Sequence, residues 1–226
     1  MLIGKYQINI NINDFIFEID IRESIERKTY FIKEYEKKRM DQLHLFSKKI
    51  NSDILIDIGA HIGFYSILSS DRFDQIYSFE PNDRNFKLLK KNIKNNKLNN
   101  IQILNFGLGE KEEVLLGNSN TKGKLFQTSG FAVSKSNKKG EKVLIKKGDD
   151  VLKFKNKTLT IKIDVEGFEF FVLNGLESVL TNNWCFLQIE IWEKNNDKIH
   201  SFLKSLGYKM INLIDGDTYF SNKTFD

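Results

Sequence analysis

The stretch Asp57-Ile-Gly-Ala-His-Ile-Gly63 constrains this chain more than any other. Ahead of it, Asp53-Ile-Leu-Ile-Asp57 is a short apolar run ending in a carboxylate, as a buried parallel strand ends where its sheet opens to a ligand. Gly59 and Gly63 allow the backbone to turn sharply and to approach a bound molecule closely. Phe64-Tyr-Ser-Ile-Leu68 then resumes an apolar pattern suited to a helix packed on the sheet. Strand, glycine turn and helix in this order make a nucleoside-binding unit, with an ordinary capped turn as the alternative.

Spacing decides which nucleoside. A dinucleotide fingerprint needs Gly-x-Gly-x-x-Gly, so that amide groups and a helix N-terminus hold a pyrophosphate. Here the pattern is Asp-x-Gly-x-x-x-Gly, one glycine short. A carboxylate at the first position suits a cationic ligand, and S-adenosylmethionine carries an ammonium and a sulfonium and no phosphate. Glu80 ends the next apolar run, Gln75-Ile-Tyr-Ser-Phe-Glu80, where an acidic side chain can take both ribose hydroxyls. Pro81 stops that strand and fixes how the acid is presented. The combination reads as a methyltransferase.

The rest of the chain supplies the sheet around this unit. With 226 residues it is long enough for one large α/β domain. Tyr6-Gln-Ile-Asn-Ile-Asn-Ile and Phe15-Ile-Phe-Glu-Ile-Asp-Ile alternate about an Asn13-Asp14 turn, predicting a hairpin. From Lys33 to Lys49 the spacing of Tyr35, Met40, Leu43 and Phe46 predicts a helix, on which His44 reads as a satisfied or exposed histidine. Strands are expected over 53–57, 75–80, 101–106, 158–164 and 185–192, with helices between them such as 85–93 and 169–180. That alternation implies parallel pairing. Tyr208-Lys-Met-Ile-Asn-Leu-Ile, Asp215-Gly216-Asp217 and Thr218-Tyr-Phe form a terminal hairpin pattern, so an antiparallel edge should close the sheet.

Composition excludes little. The formal charge of +5 arises in a chain rich in Lys, Asn and Ile, which is weak support for a nucleic-acid partner. Cys185 is the only cysteine and lies in an apolar run, ruling out an internal disulfide and a thiolate metal site. No apolar run approaches the ~18 residues of a membrane span, and Met1-Leu-Ile-Gly-Lys lacks the layout of a secretory signal, so a cytoplasmic protein is expected.

The runs IDIGAHIGFYS, FEPNDRNFKLLKKNI, NFGLGEKEEVLL, GDDVL, IKIDVEGFEFFVLNGL and LQIEIW occur in order over residues 53 to about 192. Together they resemble the FkbM-type S-adenosylmethionine-dependent methyltransferases. The resemblance implies a class I (Rossmann-like) methyltransferase fold with a seven-stranded, mostly parallel sheet and an antiparallel last strand. The methyltransferase domain would span 51–226, with the hairpin and helix of 1–50 lying on it as part of one globular unit. It implies a hydroxyl acceptor on a sugar, glycolipid or natural product. It puts Asp57, Gly59, Ala60, His61 and Gly63 under the methionine portion of the cofactor, Glu80 on the ribose with Asn82 beside it, and Asn105, Phe106 and Gly107 at the adenine. Phe106 is equally suited to the core, and His61 stands where the family often has Asn. Tyr35-Glu36 resembles a Tyr-Glu pair that the family places near the cofactor pocket, which makes Glu36 a cofactor candidate, with a helix-surface role as the alternative.

Two further features bear on the acceptor. Residues 117–147 mix Gly, Ser and Asn with eight lysines against Glu141 alone, which reads as loops outside the core. They are either a cationic rim for an acceptor with phosphate or carboxylate, or a solvated loop. Strands buried on both faces should be apolar throughout, yet Thr158–Asp164 carries Lys162 and Phe186–Trp192 carries Gln188 and Glu190. These strands should be neighbours, with Lys162 neutralising Glu190 or Asp164. Methyl transfer needs an aligned acceptor, and a hydroxyl must also lose its proton. Asp164, Glu166, Lys162 and Glu190 are therefore the catalytic candidates, with no metal assigned and a divalent ion between Asp164 and Glu190 as the rival. A nucleic-acid methyltransferase is disfavoured, since IDVEGFEF is not the Asn-Pro-Pro-Tyr type. A cofactor-binding module without turnover stays open, as does the oligomeric state.

Overall fold

Alternating apolar and polar side chains pair β1 (Gln7–Ile12) with β2 (Phe15–Asp20) as an antiparallel hairpin in the computed structural model, which describes residues 6–119, 130–135 and 139–224. Asn13, at φ +51°, makes the turn. A helix that the sequence does not announce, α1 (Ser24–Ile32), comes next. The expected helix over 33–49 starts later, as α2 (Lys37–Lys49), because Lys33 and Glu36 both take left-handed backbone and break the chain between the two helices. His44 Nε2 lies 2.8 Å from Ser69 Oγ, and burial lowers the imidazole to about 4, so this histidine is a satisfied neutral one.

The alternation then runs β3 (Ile54–Ile58), α3 (Phe64–Leu68), β4 (Gln75–Phe79), α4 (Asp83–Asn95) and β5 (Ile101–Leu104). The segment expected to be loops builds a second sheet instead. Its strands are β6 (Gly107–Gly109), β7 (Glu113–Ser119), β8 (Phe131–Ser134) and β9 (Glu141–Lys147), in the order β6-β9-β7-β8. Val143 and Ile145 of β9 are buried in the main core, because alternate residues of a strand share one face whatever lysines occupy the other. Lys122, Lys124 and Lys138 lie outside the described residues.

After α5 (Gly148–Val151) come β10 (Thr158–Ile163), α6 (Glu169–Gly175) and α7 (Glu177–Thr181). The continuous helix expected over 169–180 is divided at Leu176, whose backbone leaves the helical region at φ −107° and ψ +10°; beside it Gly175 packs so closely that a Cβ there would sit 1.8 Å from Gly109 O. β11 (Trp184–Glu190), α8 (Asn196–Ser205), β12 (Lys209–Ile214) and β13 (Asp217–Ser221) complete the chain. The main sheet has seven strands in the order β12-β13-β11-β10-β3-β4-β5. Its five strands from β11 to β5 are parallel, and β13 runs antiparallel to both neighbours, as the sequence predicts. β10 and β11 are the expected neighbours.

Apolar cores cover both faces of the sheet, with a smaller third cluster at Ile50, Phe186 and Tyr219. Ile54, Ile56, Ile161, Ile163 and Leu187 face α6, α7, α8 and the second sheet. Leu55, on the opposite face, meets the N-terminal hairpin, Met40 and Leu43 of α2, and α3 and α4. The hairpin is tied down through Asn92 of α4 and Asn96, which caps that helix; their side chains accept from Glu18 N and Ile16 N and donate back to the same residues' carbonyls. Among the described residues no helix is long and apolar enough to cross a membrane.

Candidate active site

The register of the main sheet aligns a row of polar side chains across five buried strands: Ser78, Asp57, Lys162, Gln188 and Tyr219 are successive cross-strand partners. All lie on the face covered by α2 and α3, and each must find a partner there. Ser66 of α3 does this for two of them, donating to Asp57 Oδ2 at 2.6 Å and lying 2.7 Å from Ser78 Oγ. Lys162 Nζ stands 3.6 Å from Asp57 Oδ1 and 4.7 Å from the centre of the Tyr65 ring. Gln188 Nε2 donates to Tyr65 Oη at 2.8 Å and to Asp217 Oδ2 at 2.6 Å, and Tyr65 donates to Glu36 Oε2 at 3.0 Å. Arg39 of α2 closes the row, 3.1 Å from Glu36, 3.2 Å from Asp217 and 4.0 Å from Glu190.

Two residues further along the strands, the chain opens into a pocket. Counted with its open mouth it encloses about 850 Å³. The strand ends shape its floor. Gly59 turns at φ +84°, and a Cβ there would lie 1.8 Å from Asp164 O, so only glycine lets β3 and β10 close together at this level. Gly63 turns at φ +96° where a Cβ would press on Leu89. Glu80 caps the turn from the side: Oε2 accepts from His61 N and Oε1 from Asn82 N, each at 2.8 Å. Burial pushes its carboxyl up to about 8, against the pull of those two donors. His61, at φ +53°, projects toward α1, its Nε2 3.8 Å from Glu26 Oε1, and burial holds the imidazole down to about 4.

The acids expected at the end of β10 are brought together. One oxygen from each of Asp164, Glu166 and Glu190 lies within 4.8 Å of the other two. Lys162 reaches Asp164 Oδ2 at 3.3 Å. Burial opposes ionisation of Asp164, but Lys162 and a hydrogen bond with Glu190 outweigh it and hold this carboxyl below the usual range. Glu190 goes the other way, up to about 8, through burial and the neighbouring Asp164 charge. Such a pair shares one proton, ionised at Asp164 and protonated at Glu190. Glu166 is pushed up to about 7 by burial and the same charge, and its backbone is left-handed at φ +54°. Left-handed non-glycine residues at Glu36, His61 and Glu166 all lie in or beside this site, where strain of this kind concentrates.

Each sequence candidate therefore has a place. Gly59, Ala60, His61, Glu80, Gly107, Lys162, Asp164 and Glu166 line the pocket. Gly63 is the N-cap of α3. Asp57 is not among the lining residues; it lies fully buried with Oδ1 3.6 Å from Lys162 Nζ. Asn82 caps α4 and donates to Glu141; Asn105 donates to Glu80 O; Phe106 packs edge-on against Phe79 with Lys146 over its ring. Glu36 is behind the pocket, on Tyr65 and Arg39. The expected partner of Lys162 is Asp164, joined by Asp57, while Glu190 is met by Arg39. Sequence reasoning missed Ile25, Phe131 and Val133 in the walls and Arg39 behind them. Gln188 was marked by its polarity in a buried strand, whereas nothing local marks Arg39.

The family profile described as Methyltransferase FkbM domain matches residues 57–210, from the carboxylate under the glycine turn to β12. This chain belongs to the FkbM methyltransferase family. The match takes in the pocket floor, the Lys162-Asp164-Glu166 strand end and Glu190, and excludes the N-terminal hairpin and α1. No curated protein sequence matches the chain. Among solved structures, the FkbM methyltransferase of Methylobacillus flagellatus aligns with a TM-score of 0.54 at 18% identity, over 76% of this chain and 43% of that one. Trm5b from Pyrococcus abyssi aligns at 0.50 and 14% identity, over 96% of this chain and 54% of that one. SMU.1697c from Streptococcus mutans, solved in complex with SAH, aligns at 0.50 and 12% identity, over 81% and 96%. This FkbM-family chain thus spans less than half of the Methylobacillus protein and about half of the Pyrococcus one, and shares with all three the methyltransferase fold.

Proposed function

We propose that this FkbM-family protein uses S-adenosylmethionine to methylate a hydroxyl group of a sugar, a glycolipid or a natural product, and that it works in the cytoplasm. The observation that carries the cofactor reading is the glycine cradle at the end of β3, with Glu80 at the end of β4. A ligand without phosphate suits it, since the turn lacks the third glycine on which a pyrophosphate cradle depends. Glu80 would take the ribose hydroxyls, the 59–63 turn the amino-acid end, and the apolar side chains of Phe79, Leu108 and Ile145 would flank the base. When bound, the cofactor supplies a methyl group on a cationic sulfur.

The protein's own part is to position the acceptor and receive its proton. Lys162 keeps Asp164 ionised at neutral pH, and Glu190 holds the proton that the pair shares. Asp164 is thereby an acceptor for an incoming hydroxyl, with Glu166 beside it. Glu166 is raised to about 7, so turnover that uses Glu166 as the base should rise with pH through that value, whereas turnover through Asp164 alone should be flat there. A second reading is favoured by the spacing of the three oxygens, which could hold a divalent cation that orients the acceptor instead. Loss of activity with chelator, restored by magnesium or manganese, would select it.

The acceptor rim differs from a uniformly cationic one. Lys135 is committed to Glu110 at 2.6 Å and Glu113 at 3.6 Å, while Lys139 and Lys142 are exposed. Nothing in the fold supports setting nucleic acid aside, so the test includes it. Incubation with methyl-labelled S-adenosylmethionine and fractionated extract should put label into glycan, lipid or small-molecule fractions. Label confined to RNA would replace the acceptor class. Cofactor binding with no label in any fraction would leave a binding module.

A further inference from the structure

The outward face of α1 carries an unusual combination. Phe31 is 74% exposed and Ile32 is 53% exposed, side by side in the last turn. Arg27 and Lys28 lie one turn earlier, directly above them at i,i+4 spacing, and both are exposed. Lys33 follows at the helix end, its Nζ 4.3 Å from the centre of the Tyr30 ring, and Lys38 is exposed beyond it. Glu34 is the one exposed acid between them, and Lys37 is neutralised by Asp41 at 2.6 Å. The buried side of the helix, which Ile32 adjoins because it stands seven residues after Ile25, belongs to the pocket. Ile25 lines it, Tyr35 just past the helix lines it while stacking on Phe64 at 4.2 Å, and Glu26 and Thr29 are buried.

We propose that this face of α1 docks the protein on an anionic lipid surface. Phe31 and Ile32 enter the headgroup boundary, and Arg27, Lys28 and Lys33 meet the lipid phosphates. An adjacent aromatic and aliphatic pair ringed by long cationic side chains is what an anionic interface selects, since the stems cover apolar area while the charges stay in the headgroups. A protein partner is less well matched, because the core of a protein interface is depleted of lysine. The consequence deepens the glycolipid option of the proposed function and rests on that reading only there: the helix that touches the lipid is also the wall of the pocket, so a lipid-borne acceptor is presented where it is used.

Sedimentation of the full chain with vesicles tests this without turnover, so its outcome is separate from that of the label-transfer experiment. Vesicles of mixed phosphatidylglycerol and phosphatidylcholine should bind the protein at least ~10-fold better than phosphatidylcholine alone, less so at high salt. Phe31→Ser with Ile32→Ser should lower that binding at least ~10-fold, and Lys28→Glu with Lys33→Glu should do the same. Melting temperature and S-adenosylmethionine affinity should stay at the parent values in both. Equal partition of the parent into the two vesicle types, or parent-like binding by either folded variant, would overturn the proposal. A parent dimer that the Phe31 and Ile32 substitutions convert to monomer would also overturn it, by assigning the face to a second copy of the chain.

Discussion

Lys162 is the cation on which the buried polar row depends, and replacing it by Met tests that dependence at nearly constant volume. The side chain is 4% exposed, with Asp57 at 3.6 Å and Asp164 at 3.3 Å, and Asp57 Oδ1 has no hydrogen bond to fall back on. Removing one partner of a buried charge pair costs about 3–5 kcal/mol, because the other charge stays behind uncompensated. For a chain of this length that corresponds to a fall of roughly 6–20 °C in melting temperature. The sign with pH follows from the carboxylates. Without the lysine, Asp164 keeps the burial that opposes its ionisation and loses the charge that offset it, so its folded-state proton affinity rises above the unfolded one. A group raised in this way contributes stability at low pH that is lost as pH rises. The deficit of Lys162→Met against the parent should therefore be small near pH 4 and largest at neutral pH, and Asp57→Asn added to it should restore part of the loss. Thermal melts followed by circular dichroism across that range decide the matter. A melting temperature equal to the parent's at pH 7, or a deficit that does not change with pH, would refute the assignment of Lys162 as the buried hub.

Three other expectations follow from the same geometry. Glu80→Ala should weaken S-adenosylmethionine binding ~10-fold to 150-fold by calorimetry, and should also lower the melting temperature, because His61 N and Asn82 N lose their acceptor; unchanged affinity would take Glu80 off the ribose. Asp164→Asn should keep cofactor affinity while lowering turnover of the identified acceptor at least ~100-fold, and full turnover would remove Asp164 from the chemistry. Burial pushes the Glu26 carboxyl up to about 8, so the folded state holds a proton there that the unfolded chain releases near its ordinary value of 4.5. Stability is therefore lost as pH rises from 4.5 to about 8, and the advantage of Glu26→Gln over the parent should grow by up to ~1.4 kcal/mol per pH unit in that window; parallel stability curves for the two proteins would contradict the buried, protonated state.

The main sheet was legible because each of its strands is a short apolar run, and the exceptions within those runs, Asp57, Lys162 and Gln188, turned out to be cross-strand partners in one polar row. The second sheet was not. In β9 the lysines on the outer face mask Val143 and Ile145 on the inner one, and β6 is Gly-Leu-Gly, with almost no side chain to show a period. α1 escaped because its inner face includes Glu26 and Thr29, buried residues that a hydrophobic pattern scores as solvent-facing. At the site, glycines and acids within one βα unit could be read from spacing alone. The Arg39 contacts could not, since its partners Asp217 and Glu190 come from the far end of the chain and meet it only after the antiparallel edge has folded back.

The pocket over Gly59 and beside Glu80 is proposed to hold S-adenosylmethionine and not a dinucleotide. Isothermal titration of the purified protein with S-adenosylmethionine, its demethylated product and NAD tests it directly. Saturable binding of the first two is expected, weakened in Glu80→Ala, with no heat from NAD. Tight NAD binding with none of S-adenosylmethionine or its product would contradict it.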